Sequence, residues 1–409
     1  MNTTVEKSSV GTLLLLAAAP LLWAGGCDYK AGAKLPSDKP IGAFRRQLLE
    51  TAFKAASSIP VEPHIKDRSR AQQAVVEACL ELDQPKLALS YVERIENWRG
   101  GLCFAELAVY CADTGYKQQA ARCLEPARRI AGNDQSQQWR NNRIKLKIAE
   151  ARATLGQAAL ARELKAGLAA SQTDPVARAE AMISDESPFD DQVAVLDSLL
   201  EEPLNNAGGL VLRAYCRLFD RFYEEDKRRS LVEERIRASW GKVPVFFRLE
   251  LLLDLAGCAL KHSDRRKALD LVNEARAVLD YSRWRVEQLV AHAATLSRLR
   301  FRAGDVHTAR TDLDTALALF NTRKGEILNI HRSGALRSVA EAYQSMGDAA
   351  AALSVYKQAL EEGIQNPNSR PCAEDLSAVC RSMALCGAEP DGELWRLIHR
   401  VKEGLGPPW

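Results

Sequence analysis

The chain has 409 residues, long enough for two or three ordinary domains or for one elongated array of repeats. Its 56 Lys and Arg side chains against 53 Asp and Glu leave a formal charge of +3, too balanced for the basic footprint that nucleic acid or a polybasic membrane contact requires. Aromatic residues make up only 6% of the chain, which points to a core of Ala and Leu, as in helical proteins.

In chain order, the first feature is a short polar start with Lys7 as its one side-chain cation, followed by an apolar run over 10–23. That run has the length of a signal-peptide apolar region and is short for a bilayer span. It leads into Ala24-Gly25-Gly26-Cys27. Small residues directly before a cysteine resemble the lipobox of bacterial lipoproteins, although Ala24 stands where leucine is usual. The resemblance implies that residues 1–26 are a signal peptide, that Cys27 is acylated, and that a lipid anchor holds the protein to a bacterial membrane, on the periplasmic side in a two-membrane cell. Asp28 would favour the inner membrane under the enteric type of sorting. Plain secretion and an uncleaved anchor are the alternatives, and all three export the chain. Residues 27–40 carry Gly, Pro, Lys and Ser without an apolar period and read as a flexible tether.

From Ile41 onward apolar residues recur at three and four, with no alternating strand pattern. The expected class is therefore all-α. Short punctuations such as Asp113-Thr114-Gly115, Ala303-Gly304-Asp305 and Met346-Gly347-Asp348 separate helical segments at regular intervals, the sign of an internal repeat. The clearest unit contains Leu336, Val339, Ala340, Tyr343, Gly347, Ala352, Tyr356, Ala359 and Leu360. This spacing resembles the tetratricopeptide repeat (TPR), with Leu336 in place of its Trp and Ala340 in place of its first Gly. Weaker copies place the alanine that opens the second helix at 88, 120, 161, 268 and 309 as well as 352. Two further units, over 175–200 and 210–240, have lost the signature.

The resemblance implies a right-handed α-solenoid of about eight helical hairpins. We assign 41–68 to an N-terminal capping helix, 69–366 to the repeat array and 367–409 to a C-terminal capping segment. In proteins of this kind the first helices line a concave face that binds peptides or extended protein segments. Carried over position by position, that face selects Arg337, Glu341 and Gln344 in the best unit, then Arg298 and Phe301 in the unit before it.

Patterns for chemistry are sparse. HExxH, GxSxG, CxxC, the P-loop and GxGxxG are all missing, and the six histidines have no second ligand at helical spacing. Neither a metal nor another cofactor is expected. Nine cysteines follow Cys27, and most fit helix positions that want a small apolar residue. A disulfide among Cys103, Cys111 and Cys123, or among Cys372, Cys380 and Cys386, is the alternative in an oxidising envelope. The expected function is a non-enzymatic envelope scaffold with a protein or peptide partner. Two rivals stand beside it: a helical envelope hydrolase with a catalytic Glu within 175–245, and a structural lipoprotein that self-associates.

Overall fold

One turn geometry, repeated, builds the array. The left-handed position is held by Asp83, Gly115, Gly156, Ser263, Gly304 and Gly347, with φ between 57° and 106°. In each case the next backbone N–H reaches back to the carbonyl five residues earlier: Gln84 to Cys79, Tyr116 to Cys111, Gln157 to Arg152, Asp264 to Ala259, Asp305 to Arg300 and Asp348 to Tyr343, at 2.7–3.2 Å. This closes the end of one helix and aims the chain backwards. In three units the second helix starts at once, because Asp264, Asp305 and Asp348 accept the backbone N–H three residues on.

The computed structural model describes residues 35–133, 138–169, 175–183, 188–201 and 208–409. Cys27 and the expected signal and tether up to residue 34 lie outside the described residues. Eight consecutive hairpins follow the first helix, α1 (Ala43–Ser58). They pair α2 (Ile65–Glu81) with α3 (Pro85–Val92), α4 (Trp98–Asp113) with α5 (Lys117–Asn133), α6 (Gln138–Thr154) with α7 (Ala158–Ala169), and α8 (Pro175–Met182) with α9 (Phe189–Glu201). The second half pairs α10 (Gly208–Arg221) with α11 (Asp226–Ala238), α12 (Val245–Lys261) with α13 (Arg265–Tyr281), α14 (Val286–Ala303) with α15 (Val306–Arg323), and α16 (Asn329–Ser345) with α17 (Ala349–Gly363). Two helices complete the chain, α18 (Ser369–Cys386) and α19 (Gly392–Glu403), and no strand occurs among the described residues. The fold is an all-α solenoid, as the spacing predicts.

The recurring alanine has a fixed place. Ala88, Ala120, Ala161, Ala268, Ala309 and Ala352 are each the fourth residue of the second helix of their hairpin, and all are buried. A methyl group there lets the two helices of a hairpin come close. In the two units without the signature the same position carries Gln192 and Arg229, and α8 is only eight residues long. The pattern fades there because the close approach is lost.

The structure differs from the expectation at the two ends. The even-numbered helices pack on one another in succession from α2 to α18, while the odd-numbered helices, α17 and α19 excepted, make no comparable contact among the described residues. In a curved array the layer whose members touch is the concave one. That layer does not stop at α18, because α18 also packs against α2 and the solenoid closes on itself as a ring. Across the junction Arg70 pairs with Glu374 at 3.1 Å and Arg370 with Asp67 at 3.5 Å.

Closure depends on α1, which lies along α18 much as α17 lies along α16. Leu48, Leu49, Ala52 and Phe53 share one buried cluster with Leu376, Val379, Cys380 and Met383 of α18 and with Val75 and Val76 of α2. The Phe53 ring stacks on Tyr91 with centroids 4.0 Å apart. A ninth hairpin is thereby made from the last inner helix and the first outer one, without a covalent turn between them. The expected pair of separate caps over 41–68 and 367–409 is corrected on this point: α1 and α18 cover each other.

The chain shows why α19 does not take that place. After Gly387 the turn forms as in the repeats, with the Ala388 N–H on the Met383 carbonyl at 2.9 Å. The next helix starts two residues after Gly347 in the best unit but five after Gly387, with Glu389, Pro390 and Asp391 in the longer turn. The extra length carries α19 aside, where it packs on α17 and α18.

Candidate functional site: the inner wall of the ring

Several neighbouring inner helices are tied to each other by ion pairs across the layer. Arg143 of α6 and Arg217 of α10 both approach Glu180 of α8, at 3.2 and 3.5 Å. Arg213 of α10 meets Glu250 of α12 at 2.9 Å, and Lys261 of α12 meets Asp220 of α10 at 2.6 Å. His262 adds a second contact to Asp220, at 3.0 Å. Burial pushes the Asp220 carboxyl up, but the hydrogen bonds from Lys261 and His262 outweigh it and hold the group below its ordinary range.

Three of the five residues selected from the sequence meet at one carboxylate. Arg337 donates to Glu341 Oε1 at 2.8 Å, Ser382 of α18 donates to the same oxygen at 2.7 Å, and Arg298 stands 3.8 Å from Glu341 Oε2. The Tyr356 hydroxyl is hydrogen-bonded to Ser382 at 2.8 Å, so the group reaches into the outer layer. Gln344 lies farther along α16, where its amide makes a long 3.5 Å contact to the Gly387 carbonyl. Phe301 is half-buried on α14 and takes no part in this network among the described residues. Glu341 is therefore the hub that binds α14, α16 and α18 together, and the two arginines are the members left partly exposed.

Arg381 of α18 joins the same field from beside α2. Burial, then the neighbouring Arg337, make its charged form less favourable, and Glu341, Glu77 and Glu81 oppose them. It has no ion pair among the described residues. Nothing local in the chain singles it out, because the closure that brings α2 beside α18 is not a local property.

Two cavities open on the inner wall. One of about 660 Å3 runs across α8, α10, α12 and α14 and is lined by Arg213, Arg217, Lys261, Arg298 and Arg302 with Asp220 and Asp254. The other, of about 610 Å3, lies between α4, α6, α8 and α10 and is lined by Glu106, Arg143, Lys147, Glu150, Lys165 and Glu180. They share Glu180 and Arg217. The wall is thin there because α8 spans roughly 12 Å, about half the length of its neighbours.

Glu106 was not among the expected site residues. Its signal in the sequence is a lone carboxylate inside the apolar stretch "LCFAELAVY". Burial, then the nearby Glu77, push its carboxyl up to about 8. Within 175–245, where the hydrolase alternative placed its acid, Glu201 is exposed, and Glu186 and Glu202 lie outside the described residues. Burial pushes the Glu233 carboxyl up, but Lys267 and Arg237 together hold it below its ordinary range.

The nine described cysteines are free thiols, most of them buried in helix faces. Cys111 and Cys123 lie on the two helices of the α4–α5 hairpin, both buried. His292 packs edge-on against Trp284 with ring centroids 5.1 Å apart, and burial lowers its tendency to take a proton. No group of three His, Cys, Asp or Glu side chains suited to a metal ion occurs among the described residues. No described helix is long and apolar enough to cross a membrane.

No protein-family model matches the chain. No curated protein matches it either. Among solved structures it is similar to one described as "Circular tandem repeat protein with novel repeat topology and enhanced subunit contact surfaces", at 16% identity over 88% of this chain and 94% of that one, with a TM-score of 0.26. The closed ring rests on the packing of α1, α2 and α18.

Proposed function

We propose that this chain is a non-enzymatic scaffold of the bacterial cell envelope, exported and held to a membrane through Cys27, that grips an extended protein segment on the inner wall of its helical ring. The observation that carries the reading is the wall itself: shallow charged cavities between inner helices, in place of one enclosed apolar pocket. Nine inner helices at the usual spacing of about 8–10 Å enclose a bore on the order of 15 Å, enough for an extended strand or a single helix. Arg298 and Arg337 are suited to hold such a segment, since each has a free edge beside Glu341 and guanidinium groups pair carboxylates or backbone carbonyls in two-pronged fashion. A lipid-anchored ring of this kind keeps its partner close to the membrane surface.

The test is a photo-crosslinking amino acid at Arg302 on the inner wall and, as a control, at Arg266 on the outer helix α13, in cells expressing the full chain. Crosslinks to one polypeptide from position 302, lost in Arg298→Ala/Arg337→Ala, are expected. Equal crosslinking from both positions, or none from 302, overturns the proposal. Metabolic labelling with a palmitate analogue, compared in wild type and Cys27→Ser, tests the anchor separately.

A further inference from the structure

The cavity across α8, α10, α12 and α14 holds more cations than its own carboxylates can pair. Arg213, Arg217, Lys261, Arg298 and Arg302 line it against Glu180, Asp220 and Asp254. All three carboxylates are met from α6, α10 and α12. Lys261 holds Asp220 at 2.6 Å, Glu180 is shared by Arg143 and Arg217, and Arg213 lies 2.9 Å from Glu250 and 4.0 Å from Asp254. The arginines of α14 are left over. Arg298 has Glu341 as its one acidic neighbour, 3.8 Å away, and Arg337 and Ser382 already donate to that carboxylate. Arg302 is exposed and has neither an ion pair nor a hydrogen bond among the described residues.

Beside these two arginines the wall has a notch. Gly257 lines the same cavity from α12, which packs between α10 and α14. A Cβ built on it meets nothing within 4 Å, so α12 carries on this face, in its last turns, the poorest helix former after proline and leaves open space there.

We propose that this notch is a subsite for acidic side chains, with Arg298 and Arg302 as the donors that hold them. The inference rests on the reading of the inner wall as a holder of an extended protein segment, and it names the chemistry that segment brings. Arg298 and Arg302 are four residues apart, about 6 Å along the helix. An extended strand lying along α14 sets alternate side chains about 6.6 Å apart on one side. Two acidic residues separated by one other therefore meet one guanidinium each, in charge-assisted pairs. A nucleic-acid strand fits this wall less well, because three carboxylates face it and no aromatic side chain lines the cavity to stack a base.

The experiment is fluorescence anisotropy of the full-length protein with a labelled, amidated peptide of alternating Glu and Ser, beside the same peptide with Gln in place of Glu and an oligothymidylate of equal charge. We expect the Glu peptide to bind about tenfold more tightly than either of the others and to weaken as salt is raised. Arg302→Ala removes the free cation, whereas Gly257→Leu fills the notch and keeps every charge. Each is expected to cost roughly fivefold or more in affinity for the Glu peptide, and Arg266→Ala on the outer face is expected to cost nothing. Absence of binding by the Glu peptide, equal binding of the Glu and Gln peptides, tighter binding of the oligothymidylate, or unchanged affinity in Arg302→Ala or in Gly257→Leu overturns the assignment. A photo-crosslinker at Thr295, which lines the cavity and leaves both arginines in place, keeps the two readings apart. If it captures a polypeptide while the Glu peptide has no advantage, only the subsite falls; if neither Thr295 nor Arg302 yields a crosslink, the holder reading falls.

Discussion

Arg45, near the start of the first helix, covers Gly387, the left-handed residue that ends α18: a Cβ built on this glycine would sit 2.5 Å from the Arg45 Nη2 atom. The ends of the chain therefore meet at a turn with the same geometry as the turns inside the repeats. At Gly347, in the best unit, the corresponding space is open. Both glycines have positive φ, 72° and 80°, so alanine is strained at either. Gly347→Ala and Gly387→Ala are each expected to cost about 1 kcal/mol, from the backbone alone. The Arg45 contact adds little at 387, because the end of a long side chain swings away. Urea unfolding of the two variants checks this, and an excess above about 2 kcal/mol at Gly387 would mean that Arg45 is locked in place.

Closure predicts an unusual protection pattern. In an open solenoid the terminal helices fray first, whereas here α1 and α18 share a buried cluster and are expected to exchange their amide hydrogens as slowly as α16. Leu49→Ala removes a fully buried side chain from that cluster and is expected to cost about 3 kcal/mol. Hydrogen exchange followed by mass spectrometry distinguishes a closed ring, in which this variant speeds exchange in α18 before α12, from an open one, in which α18 is unaffected.

Acid–base behaviour follows from two raised carboxyls. Burial, then Glu77, bring Glu106 to about 8, and burial, then the adjacent Glu374, bring Asp375 to about 7. Each group holds its proton in the folded chain and loses it in the unfolded chain above the ordinary carboxylate range. Their contribution to stability is thus fully present below about pH 4 and is lost as pH rises through about 7 to 8. Glu106→Gln is expected to gain stability relative to wild type across that window, with no further gain above pH 9. Thermal melts of both proteins from pH 5 to 9 measure the difference.

Thiol chemistry should separate the nine described cysteines cleanly. Cys386 is exposed, Cys258 and Cys372 are half-buried, and the other six are buried. N-ethylmaleimide is expected to modify Cys386 within minutes, Cys258 and Cys372 more slowly, and the rest only on unfolding. Intact-mass spectra with peptide mapping give the order, and early labelling of Cys103 or Cys380 would contradict the packing.

The alanines at 88, 120, 161, 268, 309 and 352 and the glycines at 115, 156, 304 and 347 mark the hairpins, because both depend on the immediate neighbourhood: a methyl-sized contact and a left-handed turn. The units carried by α8–α9 and α10–α11 were placed without signature, from apolar spacing alone. Of the candidate site, the meeting of Arg298, Arg337 and Glu341 was legible because adjacent repeats present equivalent positions on one face. Phe301 and Gln344 were not brought into it, since each lies about one turn farther along its helix, beyond the reach of the Glu341 carboxylate. Glu106 was readable only as a lone charge in an apolar helix; that its oxygen lacks a donor depends on side chains from α2 and α6.

By itself, then, the sequence determined helices, turns and hairpins, all properties of residues within about forty positions of one another. Only the tertiary structure decided that the array is a ring. Closure depends on the small rotation accumulated at every hairpin and on whether the last inner helix finds its outer partner in α19 or in α1. Three extra residues in the turn after Gly387 moved α19 away, and the apolar face of α1 took its place. A pattern that repeats every few residues has no means of recording where its two ends will meet.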